Sequence, residues 1–402
     1  MNWAAVFSLT LAALAQIPAD PVFWLVVALV GFLYLRVEGL RRRAFGLARR
    51  GAFLRETAWS TLWGFVGGAV ASLIMVTAGV TLSASALLYL WPLAIALMLI
   101  NARFLCFSYA GGLLALSRLL FGWPNLDVAQ LMALVAVLHL AESFLILIAG
   151  HRGAVPVYVR SPRDGRVVGG FVLQKFWPLP VAALVALGGA VSGGLGMPAW
   201  WPLLGTGAAA YGLVPVAAGL GYGDLALARA PERKARLQFA ALFLYSLILL
   251  ALAVLSKHAP FLLWVAALFS PLGHEGVIHL GNHLEAAAGP RYVPLPDGVG
   301  VLDVWPGSPL WRAGVRSGDV IAEAGDRAVN SRAELLAALD RAGPLNIAFY
   351  RGRDFHRGIV FPGPHPGLVT VPEPGDEPFW ETTAGRPRLA SRLGLTWRRK
   401  GL

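Results

Sequence analysis

The sequence predicts an α-helical polytopic membrane domain followed by a small C-terminal α/β domain, and three observations carry that prediction. Of 402 residues, 57% are hydrophobic and 14% charged, whereas soluble domains are about a quarter charged; the mean hydropathy is +0.63. Charged residues gather in a few short stretches and after about residue 286, leaving apolar runs long enough to cross hydrocarbon. From Tyr292 onward those runs give way to short alternating segments punctuated by Gly, Pro and Asp.

Apolar windows fall at 3–17, 21–38, 57–80, 84–100, 104–121, 128–149, 178–195, 202–222, 238–256 and 260–272. Judged against the ~20 residues that a helical span needs, they predict about six to ten spans across residues 1–272. Residues 2–17 have no basic leader and no convincing small-residue cleavage site ahead of Asp20, so that segment reads as retained. Basic residues cluster in three connections: Arg36, Arg41, Arg42, Arg43, Arg49, Arg50 and Arg55; Arg152, Arg160, Arg163, Arg166 and Lys175; and Arg229, Arg233, Lys234 and Arg236. The positive-inside rule places these loops, and with them the C-terminal domain, in the cytoplasm of a multi-pass membrane protein. The connections 122–127 and 194–201 lack Lys and Arg and carry Trp123, Trp200 and Trp201, as an outer interface does.

The net charge of +12 is explained by Arg flanking apolar spans, so anionic headgroups and not nucleic acid are the expected partner. A single cysteine, Cys106, excludes an intrachain disulfide and any Cys-rich zinc or iron–sulfur site. There is no GxxxxGK[ST] loop, which argues against an ATP-driven pump.

Residues 291–362 read as strands, turns and one amphipathic helix, preceded by a juxtamembrane linker at 273–290 and followed by a basic, Pro/Gly-rich tail at 363–402. The run "PGSPLWRAGVRSGDVI" resembles the PxSPAxxAGLxxGDxI stretch of bacterial PDZ domains, with Trp311 a departure. The resemblance implies peptide capture by strand addition on the edge of 299–304, with the helix 332–339 as the opposite wall. Gly298, Val299, Gly300, Val301 and Leu302 are then the expected strand and carboxylate-binding residues, and Leu335 and Leu339 the expected groove residues, unless they face the core. The tail is expected to be mobile or to fold back onto the groove.

Within the linker, "GHEGVIHLGNHLE" approaches a metalloprotease motif, but His274 and His279 are five residues apart, about 140° around a helix. His279 and His283 have i, i+4 spacing without the Glu that such a motif needs beside the first His. Residues 274–286 therefore read as an interfacial helix, and no metal, cofactor or catalytic residue is expected. His139 and Glu142 form an intramembrane i, i+3 pair, structural or part of a proton path. Asp224 and Glu232 sit at a span end, where carboxylates are tolerated without a special role. Ser72, Ser143 and Ser246 lie in spans without a nucleophile context.

Across nearly its full length the chain resembles the MinJ-like polytopic PDZ proteins of Gram-positive bacteria. The likeness rests on "DPVFWLVVALVGFLYLRVEGLRRRAFG", "HLAESFLILIAG", "GGFVLQKFWPLP", "GYGDLALARAPERKARLQFAALFLYSLILLALA" and "FSPLGHEGVIHLGNHLE". It implies a non-enzymatic scaffold in cell-division site selection, bridging DivIVA-like and MinD-like division proteins at septum and poles. Two alternatives are a membrane protease or protease regulator and a transporter with a regulatory PDZ domain.

Overall fold

The computed structural model describes residues 3–45, 51–100, 104, 106–161, 163–187, 201–204, 210–361, 363 and 365–380. Six helices come first: α1 (Trp3–Gln16), α2 (Pro21–Phe45), α3 (Ala52–Ala78), α4 (Ala84–Ile100), α5 (Phe107–Phe121) and α6 (Val128–Ala149). Three strands follow, β1 (Val155–Arg160), β2 (Val167–Leu187) and β3 (Ala210–Ala226), then α7 (Pro231–Leu255) and α8 (Leu262–Ala288). Among the described residues four helices are long and apolar enough to cross a membrane, at Pro21–Gly39, Ala52–Ala78, Val128–Ala149 and Pro231–Leu255. Of these α6 is the central one, buried along most of its length against α3, α5, α7 and α8.

Two expected spans are not helices. The described residues of the window 178–195 lie in β2 and those of 202–222 from Ala210 onward lie in β3, and the two strands pair antiparallel from Phe171–Ala226 to Leu187–Ala210. The sequence reason is local: Pro178, Pro180 and Pro215 cannot sit inside a helix without removing hydrogen bonds, and the six Gly residues of β2 and β3 weaken a helix further. β1 covers the outer edge of β2 only as far as Val172; beyond it that edge lies against α3. A bare strand edge in an apolar setting is costly unless each polar group is satisfied. Here Phe176 N–H donates to the Tyr34 hydroxyl at 3.2 Å, Ala182 N–H to Ser72 Oγ at 2.8 Å, and Leu184 O accepts from Leu82 N–H at 2.7 Å. Pro178 and Pro180 occupy the intervening positions and have no N–H to satisfy. The close approach needs Gly64 and Gly68, where an added Cβ would lie 1.8 and 1.9 Å from the Pro178 and Pro180 carbonyl oxygens.

Lys175, expected in a basic loop, is instead buried in β2, with its Nζ 2.9 Å from Glu56 Oε2 of α3. Asp224 and Lys234 also have a structural role. Buried Lys234 Nζ lies 3.2 Å from Asp224 Oδ1 and donates to Gly281 O at 3.2 Å. Glu285 Oε1 accepts from the N–H groups of Leu227, Ala228 and Arg229. These bonds lock α8 to the turn between β3 and α7, because a buried charge is tolerable only when paired and hydrogen-bonded. The predicted interfacial helix at 274–286 is therefore the second half of α8, continuous with the apolar window before it and packed on α5 and α7.

The C-terminal domain comprises β4 (Val299–Val304), α9 (Pro309–Arg312), β5 (Val320–Ala324), α10 (Arg332–Leu339), β6 (Leu345–Arg351), β7 (Asp354–Val360) and β8 (Leu368–Thr370). The sheet order is β7-β6-β5-β4-β8, and every pairing is antiparallel. Asp319 explains the Gly-Asp of the sequence motif: buried after Gly318, it accepts two bonds from Arg351, at 2.9 and 2.8 Å, and one from Arg316 N–H. The domain has its own core, including Val301, Leu310, Ile321, Leu335 and Phe349. Leu302, Val369 and Val371 point the other way, into the core of the N-terminal region. The junction is fixed by Gly169 N–H donating to Tyr292 O and Arg291 N–H to Leu227 O, both at 2.8 Å.

Candidate functional site

The strand edge expected to receive a peptide is already paired. β8 runs antiparallel to β4, with Val301 opposite Thr370 and Val304 opposite Leu368. Val371 N–H donates to Gly300 O at 2.8 Å and Trp305 N–H to Gly367 O at 2.9 Å. The expected carboxylate loop is closed as well: Gly298 N–H donates to Asn330 Oδ1 at 3.0 Å and Val301 N–H to Asp319 O at 2.9 Å. Val299 and Gly300 pair with Ile321 and Val320. Gly298 is required at its position by φ 77°, so its role here is to make the turn. Leu335 is fully buried in the domain core and Leu339 packs against the same core, so neither faces a groove.

A cavity of about 310 Å³ sits between α10 and β8, lined by Arg332, Leu336, Leu368, Thr370, Tyr158 and Phe379. Leu336 is the half-exposed residue of the α10 pair Leu335–Leu336, the one turned from the core. Because bonds to β4 fall on residues 367 and 371, the Thr370 carbonyl turns outward, where it accepts the Tyr158 hydroxyl at 2.8 Å.

Residues 373–380 close this cleft as a clasp. Arg332, the first residue of α10, donates from its backbone N–H to Glu373 Oε1, from Nε to Thr370 Oγ1 at 2.8 Å, and from its guanidinium to Asp376. Asp376 also accepts the Glu373 N–H at 2.7 Å. The N–H groups of Phe379 and Trp380 both donate to Tyr158 O at 3.2 Å, which ties the clasp to β1. Burial alone raises the Asp376 carboxyl, but the bonds from Arg332 and the Glu373 N–H outweigh it and hold the group below the usual carboxylate range. Burial pushes the Tyr158 hydroxyl above the ordinary phenol value. Of the two expectations for the tail, folding back is what residues 368–380 do; the basic residues Arg386, Arg388, Arg392, Arg398, Arg399 and Lys400 lie outside the described residues.

Sequence reasoning missed Arg332, Leu336, Tyr158 and the clasp. The usable signal was "GLVTV" at 367–371, a short β-branched run inside a Pro/Gly-rich tail. Trp311, the departure from the motif, stands partly exposed with the Arg316 guanidinium 4.5 Å over its ring.

The histidines separate as their spacing requires. His279 and His283 are exposed, and His279 lies 3.4 Å from Glu275 one turn back. His274 turns inward instead and meets Cys106 and His139. The serines in spans are occupied by backbone: the hydroxyls of Ser72, Ser143 and Ser246 donate to Gly68 O, Leu140 O and Leu242 O.

Comparison with known proteins agrees with the geometry. Residues 280–353 match the PDZ domain family, so the chain carries a PDZ domain that begins within α8. β7, β8 and the clasp fall mostly or wholly beyond the matched stretch. No curated protein matches the chain.

Proposed function

We propose that this chain is a non-enzymatic membrane adaptor whose PDZ domain takes extended segments or C-termini of other proteins into the cleft between β8 and α10. The observation that carries the reading is a recognised PDZ fold with a strand edge and a helix facing one another across a cavity, covered by a later segment of the same chain. Four apolar helices supply the membrane anchor, and the basic connections predict a cytoplasmic PDZ domain. A peptide adding to β8 takes its affinity from main-chain bonds and its selectivity from the pocket at Leu336 and Leu368. Such binding is weak by itself, and concentration at a membrane patch raises its occupancy. The sequence resemblance to MinJ-like proteins makes the septum and poles the proposed site of action, with DivIVA-like and MinD-like proteins as proposed partners.

The test is selection of a C-terminal peptide library on the full chain in detergent, as wild type, Asp376→Ala and Leu336→Glu. The reading expects weak selection by wild type, stronger selection by Asp376→Ala and none by Leu336→Glu. No selection by Asp376→Ala, or selection that ignores Leu336→Glu, would overturn it.

A further inference from the structure

We propose that Cys106, His139 and His274 form a zinc site inside the helical region, a metal centre that the peptide groove neither contains nor needs. Three helices converge to build it. Cys106 caps the N-terminus of α5, His139 lies midway along α6, and His274 follows Pro271 in α8. The donor atoms all lie within 4.8 Å of one another: Cys106 Sγ is 2.9 Å from His139 Nε2 and 3.6 Å from His274 Nε2. Two ligands of a tetrahedral zinc ion, with bonds of about 2.3 Å to sulfur and 2.0 Å to nitrogen, stand roughly 3.5 Å apart. The His274 edge already has that length, and the His139 edge has to open by roughly half an ångström.

The surroundings orient the donors. His139 Nδ1 lies 2.7 Å from Val135 O, which makes it the protonated nitrogen and leaves Nε2 with a lone pair toward the sulfur. His274 Nδ1 lies 3.4 Å from the Tyr109 hydroxyl, which itself donates to Glu275 Oε2 at 2.5 Å. This is the outer shell that metal-binding imidazoles use. Ser108 and Ser270 clamp α5 to α8 by reciprocal bonds from each hydroxyl to the other's carbonyl. The Cys106 thiolate offsets one of the two charges that such an ion brings into the apolar interior. One thiolate and two imidazoles suit zinc over magnesium or calcium, and three protein ligands leave a fourth position for water.

The experiment is metal analysis of the full chain purified in detergent from zinc-supplemented cells, alongside a cobalt titration of the metal-stripped protein. Wild type is expected to hold one zinc per chain and to develop a near-ultraviolet thiolate-to-cobalt charge-transfer band. Cys106→Ser and His139→Gln should lose the zinc, the former also the band, while the exposed-residue controls His279→Ala and His283→Ala keep both. Absence of zinc and of the cobalt band in wild type overturns the proposal, and so does undiminished zinc in Cys106→Ser. The wild-type zinc content and cobalt band decide the proposal by themselves, so a variant that fails to fold does not spare it.

Discussion

The two β-sheets of this chain each have an edge that water does not reach, and they cover it by different means. In the N-terminal sheet, the edge of β2 beyond Val172 lies against α3, a fixed helix of 27 residues. Its donors are either absent, at Pro178 and Pro180, or given to Tyr34 and Ser72. In the PDZ sheet, the outermost strand β8 faces a cleft closed by residues 373–380, held by Arg332 on Asp376 and by the Phe379 and Trp380 N–H groups on Tyr158 O. The first seal combines the close backbone approach at Gly64 and Gly68 with the Tyr34 and Ser72 hydroxyl bonds, and has no way to open without unpacking the helical region. The second is made of a few polar bonds and opens locally, as a binding site must.

Breaking the fixed seal should have the largest effect. Gly64→Ala or Gly68→Ala puts a methyl group into a backbone carbonyl, and overpacking of this kind costs about 3 kcal/mol. Thermal aggregation of the detergent-solubilised chain should shift to clearly lower temperature for both. Gly276→Ala, on α8 with open space around it, should leave the transition unchanged or raise it slightly. Equal behaviour of all three would mean that the hairpin does not rest on α3.

Asp319→Ala is the next step down. It removes charge-assisted bonds to Arg351 and to the Arg316 N–H, at a cost of about 2 kcal/mol. The loss should appear as earlier proteolysis within residues 291–360 while the helical region stays intact. Simultaneous unfolding of both regions would show that the core shared through Leu302 and Tyr292 couples them into one cooperative unit.

The clasp should respond most gently. Asp376→Ala removes a partly exposed ion pair worth about 1 kcal/mol, so hydrogen exchange in 368–380 should quicken several-fold without a change in melting. The pH sign follows from the lowered carboxyl of Asp376. Its contribution is complete above the ordinary carboxylate value and is lost as pH falls through the lower value of the closed form, below about pH 4. Acid should therefore loosen the clasp of wild type and leave that of Asp376→Ala unaffected.

The contrast also explains what could be read from sequence. The PDZ motif was legible because Gly318, Asp319 and the Ser308 cap act on neighbours a few residues away. Helix positions were legible because apolar runs need no partner to be recognised. The β2–β3 hairpin was hidden because a buried strand and a buried helix share the same continuous apolar composition; only the proline spacing separates them. The pairing that covers the expected groove edge was hidden because β8 arrives from the tail, more than sixty residues after β4. Cys106, His139 and His274 were out of reach for the same reason, with 168 positions between the first and the last.

The central claim is that a peptide binds between β8 and α10 when the clasp releases. Hydrogen–deuterium exchange of the full-length Asp376→Ala chain, with and without a library-selected peptide, tests it most directly. The account predicts peptide-dependent protection confined to 332–339 and 368–371, with 376–380 remaining exposed. Protection along 299–304 with loss of protection in 368–371 would show that the peptide displaces β8 from β4, and would contradict the assignment of the groove.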